Sequence, residues 1–360
     1  MNIENNDPKR SSIVLIMGGM GFIGSHIVVE LLGGNTYIPI IIDNLSNSKP
    51  DVLSKVELIT GKKPLFFNCD LCDYDAVLKV IDSIYAIPKF TQCKIDSVIH
   101  LAGLKAVSES IKLPVEYYQN NLVSTLNVLK MMKKYDIYNL IFSSSATVYG
   151  SSFSDINGII ETDTIGMGIT NPYGMSKYMI ELMLKDLKTS DTENKWKIIS
   201  LRYFNPVGAH PSGLIGEDPL GIPNNLMPVM LRSIKENNTL KVFGSDYDTP
   251  DGTCVRDFIH VVDLAKAHIA ALNSFQTNKF QKYKVYNIGT GKGSSVLDLI
   301  KAFEQSNNVS ISYQIVGRRD GDLATVFCNP SLAYKELGWQ AYKNLNDICE
   351  DAYNYIIRRS

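Results

Sequence analysis

The sequence predicts an α/β fold: a doubly wound parallel sheet of the Rossmann type, with a smaller mixed α/β lobe. Two observations support this prediction. Short apolar runs rich in β-branched residues alternate with helical patterns over residues 13–204, as expected for parallel strands buried between helices. A glycine-rich turn directly follows the first apolar run, which is where such sheets bind ligands.

Each element of the sheet can be placed in order. Strands are predicted at 13–17, in a run ending at Asp43, and at 64–67, 97–102, 140–145 and 197–202. The clearest helices are 114–135 and 172–187, and a strand starting at Val285 would rejoin the first sheet. We therefore expect a flexible tail over 1–12, a first domain over 13–204 and a second lobe over 205–360. Residues 260–300 are a candidate return to the first domain.

Composition excludes several classes of partner. The 360 residues are 45% hydrophobic and 20% charged, with a formal net charge of −1, so bulk electrostatics favours neither nucleic acid nor a membrane surface. No apolar run is long enough to span a bilayer. The first twelve residues are polar and lack the apolar core of a signal peptide. We expect a cytoplasmic protein.

The cysteines and histidines form no recognisable metal site. Cys69 and Cys72 make a C-x-x-C, but the sequence has no second pair at matching spacing, as zinc would require. The pair is either a redox motif or two buried thiols in a reducing compartment. The five histidines form no H-E-x-x-H pattern, and we predict that no metal is bound.

The glycine-rich turn predicts a dinucleotide site. Gly18, Gly21 and Gly24 form G-x-x-G-x-x-G between a predicted strand and a predicted helix. Glycines let the backbone approach a pyrophosphate, and the helix N-terminus supplies free N–H groups. Asp43 ends the second strand, where its carboxylate would accept hydrogen bonds from a ribose diol. No arginine follows it immediately to meet a 2′-phosphate, so NAD is favoured over NADP.

A serine, a tyrosine and a lysine form a candidate catalytic set. Ser145 ends a predicted strand, and Tyr173 precedes Lys177 by four residues on one helix face. A nearby ammonium and a nicotinamide cation would both stabilise the phenolate. The spacing alone is weak, because Tyr85 and Lys89 share it by chance. It gains meaning because the dinucleotide turn and the strand-end serine precede it.

These motifs resemble those of the extended short-chain dehydrogenase/reductase family, and within it the UDP-glucose 4-epimerases. The resemblance extends from about residue 13 to about residue 339. The segments that carry it include "GGMGFIGSH", "FSSSATVYG", "NPYGMSK", "LRYFNPVGAHPSGLIGEDPLGIPNNLMP" and "VFGSDYDTPDGTCVRDFIHVVDLA". The last two distinguish this family from relatives that share only the cofactor half.

The resemblance implies a full set of site residues. It implies that Tyr173 is the acid and base, Lys177 its activator and a ribose ligand, and Ser145 the hydroxyl partner. The implied NAD-binding residues are Gly18, Gly21, Phe22, Ile23, Gly24, Asp43, Asn44, Asn47, Ser48, Asp70, Leu71, Leu101, Ala102, Gly103, Lys105, Asn120, Ser145, Tyr173, Lys177 and Phe204. The implied nucleotide-sugar residues are Asn205, Asn225, Leu226, Val242, Phe243, Arg256, Arg319, Asp322 and Val326.

The resemblance also implies an activity, a partner and an assembly. NAD would oxidise a UDP-sugar at C4, the 4-keto sugar would rotate, and the hydride would return to its other face. Valine at 326 is moderate in size, so we hypothesise that UDP-GlcNAc and UDP-GalNAc also fit. The family implies a homodimer paired through the 114–135 and 172–187 helices. The alternatives are another nucleotide-sugar enzyme of this family, such as a 4,6-dehydratase, and a non-catalytic NAD-linked binding protein.

Overall fold

A computed structural model describes residues 12–90, 93–151, 157–221, 223, 225–277, 283–319 and 321–358. The expected tail over 1–12 lies outside these ranges except for Ser12, which begins the first strand. The strands are β1 (Ser12–Met17), β2 (Tyr37–Asp43), β3 (Leu65–Asn68), β4 (Ile95–His100), β5 (Asn139–Ser145), β6 (Lys197–Tyr203), β7 (Asn205–Val207), β8 (Leu240–Phe243), β9 (Val255–Arg256), β10 (Phe258–His260), β11 (Tyr283–Ile288), β12 (Ser294–Ser295), β13 (Tyr313–Val316) and β14 (Thr325–Val326).

Helices connect and cover these strands. They are α1 (Phe22–Gly33), α2 (Val52–Thr60), α3 (Tyr74–Tyr85), α4 (Val107–Lys112), α5 (Pro114–Lys134), α6 (Pro172–Ser190), α7 (Leu226–Glu236), α8 (Val261–Phe275), α9 (Val296–Asn307), α10 (Ser331–Leu337) and α11 (Leu345–Ile357). None of these helices combines the length and apolarity needed to cross a membrane.

Seven parallel strands form the main sheet, in the order β11-β6-β5-β4-β1-β2-β3. This confirms the predicted doubly wound sheet. The chain moves outward from β1 to β3 and then resumes at β4, on the other side of β1. The carboxyl ends of β1 and β4 therefore flank the crevice in which such sheets bind ligands.

Side-chain alternation explains why β1 is apolar throughout. Val14 and Ile16 join the core cluster that contains α1 and α8 residues, whereas Ile13, Leu15 and Met17 join the cluster that contains residues of α3, α5 and α6. Successive strand residues point to opposite faces, and helices cover both. A strand buried on both sides shows a continuous apolar run rather than alternation.

Strand β4 ends two residues earlier than predicted. The backbone amides of Leu101 and Ala102 both donate to the carbonyl oxygen of Met17 at 2.9 Å. This pair of hydrogen bonds turns the chain toward the loop after β1 instead of continuing the ladder with β5. The turn brings the residues after β4 against the glycine turn.

The later part of the chain packs small sheets against helices. β8 pairs with β13 and β7 with β10, both parallel, while β9 lies between β12 and β14. Its core cluster contains Met230, Leu299, Phe303 and Ile348, from α7, α9 and α11. Strand β11, although late in sequence, pairs with β6 at the edge of the main sheet.

Candidate active site

The glycine turn joins β1 to α1. Gly18 has a φ of +85°, which L side chains rarely adopt, and a Cβ there would lie 2.8 Å from the Ala102 amide nitrogen. A Cβ on Gly24 would lie 2.3 Å from the Gly18 carbonyl oxygen. Gly21 is the N-cap of α1 and offers no side-chain cap. The turn therefore presents uncapped N–H groups and the positive end of the helix dipole at the sheet edge.

Asp43 connects this turn to the loop after β2. Its Oδ2 accepts a hydrogen bond from the Met20 amide at 3.0 Å, and its Oδ1 accepts from the Leu45 amide at 2.8 Å and the Ser48 hydroxyl at 3.1 Å. A carboxylate offers about four acceptor positions, so one remains for a ribose hydroxyl. Asp43 thus has a structural role in addition to the predicted ligand role.

Ser145, Tyr173 and Lys177 lie together at the carboxyl end of β5. Ser145 is the last residue of β5, and Tyr173 lies in the first turn of α6, whose N-cap Asn171 accepts a backbone hydrogen bond at 2.8 Å. Lys177 Nζ lies 5.9 Å from the centroid of the Tyr173 ring. It donates to the carbonyl oxygen of Ser143 at 2.6 Å. The fold brings together the three residues that the sequence predicts as a set.

Burial controls the acid–base properties of these groups. It raises the pKa of Tyr173, and a hydrogen bond with the Ser145 side chain opposes that rise. Burial also lowers the pKa of Lys177 to about 8. The sequence-based prediction assigned activation of the phenol to Lys177 together with the charge of the cofactor. The Lys177 ammonium lies 5.9 Å from the centroid of the Tyr173 ring, close enough to act on the phenol, while it donates to the Ser143 carbonyl.

A buried ion pair that the sequence analysis did not single out holds α6 on the sheet. Glu181 follows Lys177 by four residues and accepts hydrogen bonds from Arg202 of β6 at 3.0 and 2.6 Å. Both side chains are only 3% exposed. Glu181 also accepts from the Ser144 hydroxyl at 2.5 Å. Because Ser144 directly precedes Ser145, this pair sets the position of α6 relative to the end of β5.

Asn121 is a second residue that sequence reasoning missed. Its Oδ1 accepts from the Leu104 amide at 2.8 Å, and its Nδ2 donates to the Leu104 carbonyl at 3.1 Å and to the Ser176 hydroxyl at 3.0 Å. It therefore ties the loop after β4 to α6. Its neighbour Asn120, a predicted cofactor residue, donates to the Asn121 side chain at 3.0 Å. The sequence signal that could have identified Asn121 was the pair of adjacent asparagines inside a predicted helix.

The predicted nucleotide-sugar residues other than Val326 line another part of the same cavity as the glycine turn. Arg319 donates to Asp322 at 3.0 and 2.7 Å, and Arg256 Nη2 lies 3.7 Å from the same carboxylate. Arg256 also donates to the Leu323 carbonyl at 2.8 Å. The Arg319 guanidinium lies 5.8 Å from the centroid of the Phe243 ring. The two arginines thus meet at Asp322.

This cavity has a volume of about 510 Å³, an ordinary size for a small-molecule site. All predicted site residues line it except Val326. Val326 pairs with Arg256 in the β9–β14 ladder and packs against the apolar cluster that contains Phe204. Residues 214–219, to which the sequence analysis gave no separate role, also line the cavity.

The residues around the glycine turn fit NAD. A Cβ at Gly18 would press into the backbone of the loop after β4, so the turn itself requires glycine there. The uncapped N–H groups suit a pyrophosphate, and Asp43 keeps an acceptor position for a ribose. Lys177 and Asn120 line the same cavity.

The Cys, His, Asp and Glu side chains that the structure describes can be compared with the requirements of a metal site and of a redox pair. Within the described ranges, no group of three or more His, Cys, Asp or Glu side chains could hold a metal ion. Burial raises the pKa of Cys69 to about 11, and burial and Asp70 raise the pKa of Cys72. Thiols with raised pKa values form little thiolate, so this environment disfavours redox chemistry at the C-x-x-C.

Comparisons with known proteins agree with this geometry. A model of the NAD dependent epimerase/dehydratase family matches residues 14–289. The UDP-glucose 4-epimerase of Dictyostelium discoideum is 51% identical over 95% of this chain and 95% of its own length. The human UDP-glucose 4-epimerase is 47% identical, with 95% of each chain covered.

A solved structure extends the match to three dimensions. The UDP-glucose 4-epimerase from Bifidobacterium longum, in complex with NAD+ and UDP, superposes with a TM-score of 0.87 at 47% identity, covering 96% of this chain and 98% of its own. With a family model over most of the sheet and relatives matched along nearly their whole length, this chain belongs to the NAD-dependent epimerase/dehydratase family, among the UDP-glucose 4-epimerases.

Proposed function

We propose that this protein interconverts UDP-glucose and UDP-galactose by inverting C4 of the sugar. One observation carries the proposal: Ser145, Tyr173 and Lys177 share a cavity with the glycine turn and with Arg256 and Arg319 of the second lobe. The cavity thus joins a cofactor site, an acid–base pair and a diphosphate clamp. When bound, NAD takes the hydride from sugar C4 and returns it.

Tyr173 moves the proton in this reaction. Its phenolic oxygen takes the proton of the sugar 4-hydroxyl and gives it back after the sugar has turned. Ser145 hydrogen-bonds the phenol and holds the reacting hydroxyl. Lys177, oriented by the Ser143 carbonyl, binds the cofactor ribose and keeps positive charge near the phenol. Burial of the set keeps water away from the intermediate 4-keto sugar.

The second lobe holds the nucleotide. Arg256 and Arg319 clamp the diphosphate through charge-assisted hydrogen bonds, for which they exchange part of their contact with Asp322. Asp322 then accepts from the uridine ribose hydroxyls. Phe243 is 40% exposed and stacks on uracil. The 4-keto sugar pivots about its diphosphate link while the nucleotide stays fixed.

A direct assay tests this function. The purified protein is given UDP-galactose without added NAD, and UDP-glucose is measured by chromatography. We expect conversion with no net change in cofactor, because the hydride is returned. Absence of conversion, with or without NAD added, overturns the proposal.

The two alternative functions have less support. A 4,6-dehydratase requires an acid pair after the strand-end hydroxyl, whereas Ser145 is followed by Ala146, Thr147, Val148 and Tyr149. A non-catalytic binding protein has no need of the complete Ser145, Tyr173 and Lys177 set. A dehydratase would release a 4-keto-6-deoxy sugar nucleotide in the same assay, and a binding protein would leave UDP-galactose unchanged.

We also propose that N-acetylated UDP-sugars are substrates. The support is the moderate size of Val326, which does not itself line the cavity but pairs in a β-ladder with Arg256, a residue that does. UDP-GalNAc should be converted by the wild type, whereas Val326→Tyr should lose that activity and keep activity on UDP-galactose. Failure of the wild type to convert UDP-GalNAc removes this idea.

The homodimer predicted from the resemblance is proposed to form through α5 and α6. Val115 and Leu126 on α5 are 69% and 41% exposed, and Met179 and Leu182 on α6 are 38% and 40% exposed. The two helices pack side by side, so their exposed apolar side chains offer a face to a second copy. Sedimentation velocity should show a dimer for the wild type. Leu182→Glu should give a monomer, while Leu58→Glu on α2 serves as the exposed control.

The remaining assignments concern domains and location. We propose that 13–204 forms the NAD-binding domain and 205–360 mainly the nucleotide-sugar lobe, with part of 260–300 returned to the first domain; the pairing of β11 with β6 supports the return. We propose a cytoplasmic location, which accords with the six free cysteines. Limited proteolysis between the lobes and fractionation of the source cells test these two assignments.

A further inference from the structure

Residues 214–220, which we call the strap, cross one side of the cofactor cavity. Near its start the strap forms a short antiparallel bridge, between Gly216 and Ala209, and the His210 amide donates to the Ile215 carbonyl at 3.0 Å. Residues 214–219 line the cavity. The roles proposed above do not include the strap.

Two ion pairs and a hydrogen bond tie the strap to the first domain. Glu217 Oε1 accepts from Lys105 Nζ at 2.8 Å, and Asp218 Oδ2 accepts from Lys49 Nζ at 2.5 Å. The Leu220 amide donates to Asn47 Oδ1 at 3.0 Å. Three successive anchor points thus reach across from the second lobe.

The order of strands places the strap over the glycine turn. Lys105 lies in the loop after β4, whereas Asn47 and Lys49 lie in the loop after β2. β4 and β2 are the two neighbours of β1 in the sheet. A segment bound to both loops therefore crosses the turn that follows β1, where the dinucleotide is expected to lie.

Glu217 carries a further sign of a ligand. Its side chain is 8% exposed, and its Oε1 also accepts from Asn225 Nδ2 at 2.9 Å. Its Oε2 is buried, and no residue that the structure describes forms a hydrogen bond with it. An unpaired buried carboxylate oxygen is costly, and a ligand hydroxyl would satisfy it.

We propose that Glu217 and Asp218 are cofactor-retaining residues, which close the strap over the bound NAD through Lys105 and Lys49. The inference rests on the proposed function, in which NAD ends each cycle unchanged and has no need to leave. Cofactor release then requires the cross-lobe contacts to break. The residues that retain NAD are therefore different from Tyr173, which transfers the proton.

The experiment measures the rate at which NAD leaves the holoenzyme after dilution into cofactor-free buffer, by filtration and chromatography of the released nucleotide. Partly exposed ion pairs contribute modestly, so Glu217→Gln and Asp218→Asn should each speed release by about twofold to fivefold, and the double variant by about tenfold. Glu236→Gln, which removes an exposed ion pair with Arg232 on α7, should release NAD at the wild-type rate.

A charge exchange tests whether Asp218 holds the strap through its ion pair with Lys49 or has a merely structural role. Asp218→Lys combined with Lys49→Asp restores an ion pair of opposite orientation and should return the release rate toward that of Asp218→Asn or slower, while Asp218→Lys alone should be the fastest. High salt should speed release from the wild type, because it screens the pairs, and should affect the Glu217→Gln/Asp218→Asn variant less.

The outcomes distinguish this proposal from the proposed function. Unchanged release in the folded double variant, with UDP-galactose still converted, overturns the strap proposal alone. Wild-type protein that holds NAD, releases it faster in the double variant and leaves UDP-galactose unconverted overturns the proposed function alone. Wild-type protein that binds no NAD overturns both.

Discussion

Two clusters of arginine and carboxylate differ in burial and in their relation to this cavity. Glu181 and Arg202 are each 3% exposed and fix α6 to the sheet. Asp322 is 14% exposed, and it holds Arg319, which is 50% exposed, and Arg256, which is 17% exposed. The first cluster is buried in the protein interior, while the second lines the cavity.

The difference in burial suits the two clusters to different roles. A buried pair cannot exchange its partners for water without leaving a charge unpaired, so Glu181 and Arg202 hold the elements that carry Ser145, Tyr173 and Lys177. The Arg319–Asp322 pair is partly open to solvent, which screens it and limits its contribution, so Arg319 can transfer to a diphosphate at low cost. The buried cluster thus keeps the catalytic residues in fixed positions, and the cluster around Asp322 can rearrange when a nucleotide binds.

The largest expected effect concerns the chemistry that the buried side supports. Tyr173→Phe removes the proton carrier, so kcat for conversion of UDP-galactose should fall by about 10²- to 10⁴-fold, the usual value of general acid–base catalysis. The control is Tyr85→Phe, a tyrosine that also has a lysine four residues on but stacks on Tyr135. Equal rates for Tyr173→Phe and wild type would contradict the role of the phenol.

Removing the buried carboxylate should cost the most stability. Glu181→Gln leaves Arg202 buried without its counter-charge and should lower the free energy of unfolding by about 3 kcal/mol, measured by urea denaturation. Replacing both residues, by Glu181→Leu with Arg202→Met, should recover part of this loss because no charge stays buried. A loss below about 1 kcal/mol for Glu181→Gln would show that the pair does not behave as a buried one.

The buried lysine should give the protein a distinctive alkaline response. Burial lowers the pKa of Lys177 from 10.5 to about 8. Between these values the unfolded chain binds more protons at this site, so stability rises with pH; the cost of burying the charge is fully present below pH 8. From pH 8 to about pH 10, the unfolding free energy of the cofactor-free wild type should therefore rise by about 2 kcal/mol relative to that of Lys177→Met. A pH-independent difference would contradict the shifted pKa.

The smallest stability effect is expected at the partly exposed cluster around Asp322. Asp322→Asn should change the free energy of unfolding by less than about 1 kcal/mol, because Arg319, its hydrogen-bond partner, is half exposed to solvent. The same substitution should weaken UDP binding several-fold in titration calorimetry, since a hydroxyl loses a charged acceptor. If Asp322→Asn lost as much stability as Glu181→Gln, the two clusters would not differ in the way that their burial predicts.

Much of the fold and the site could be predicted from local sequence patterns. The glycine turn, Asp43 at the end of β2 and the Tyr173–Lys177 spacing each depend on a few neighbouring residues. The resemblance extended this to the second lobe, and all predicted site residues except Val326 line the cavity. Glu181 was missed because one more glutamate on a helix carries no signal until the fold shows what it faces.

The sequence by itself determined the strands of the main sheet, the turn that suits a dinucleotide and the helix face that presents tyrosine and lysine, because these depend on backbone geometry and on periods of two or of three to four residues. Only the tertiary structure decided which charges meet. Glu181 meets Arg202 from 21 residues away, and Asp218 meets Lys49 from 169 residues away. Burial was likewise a tertiary outcome: packing around Tyr173 and Lys177 shifts both pKa values, and no local pattern encodes how much water a fold excludes.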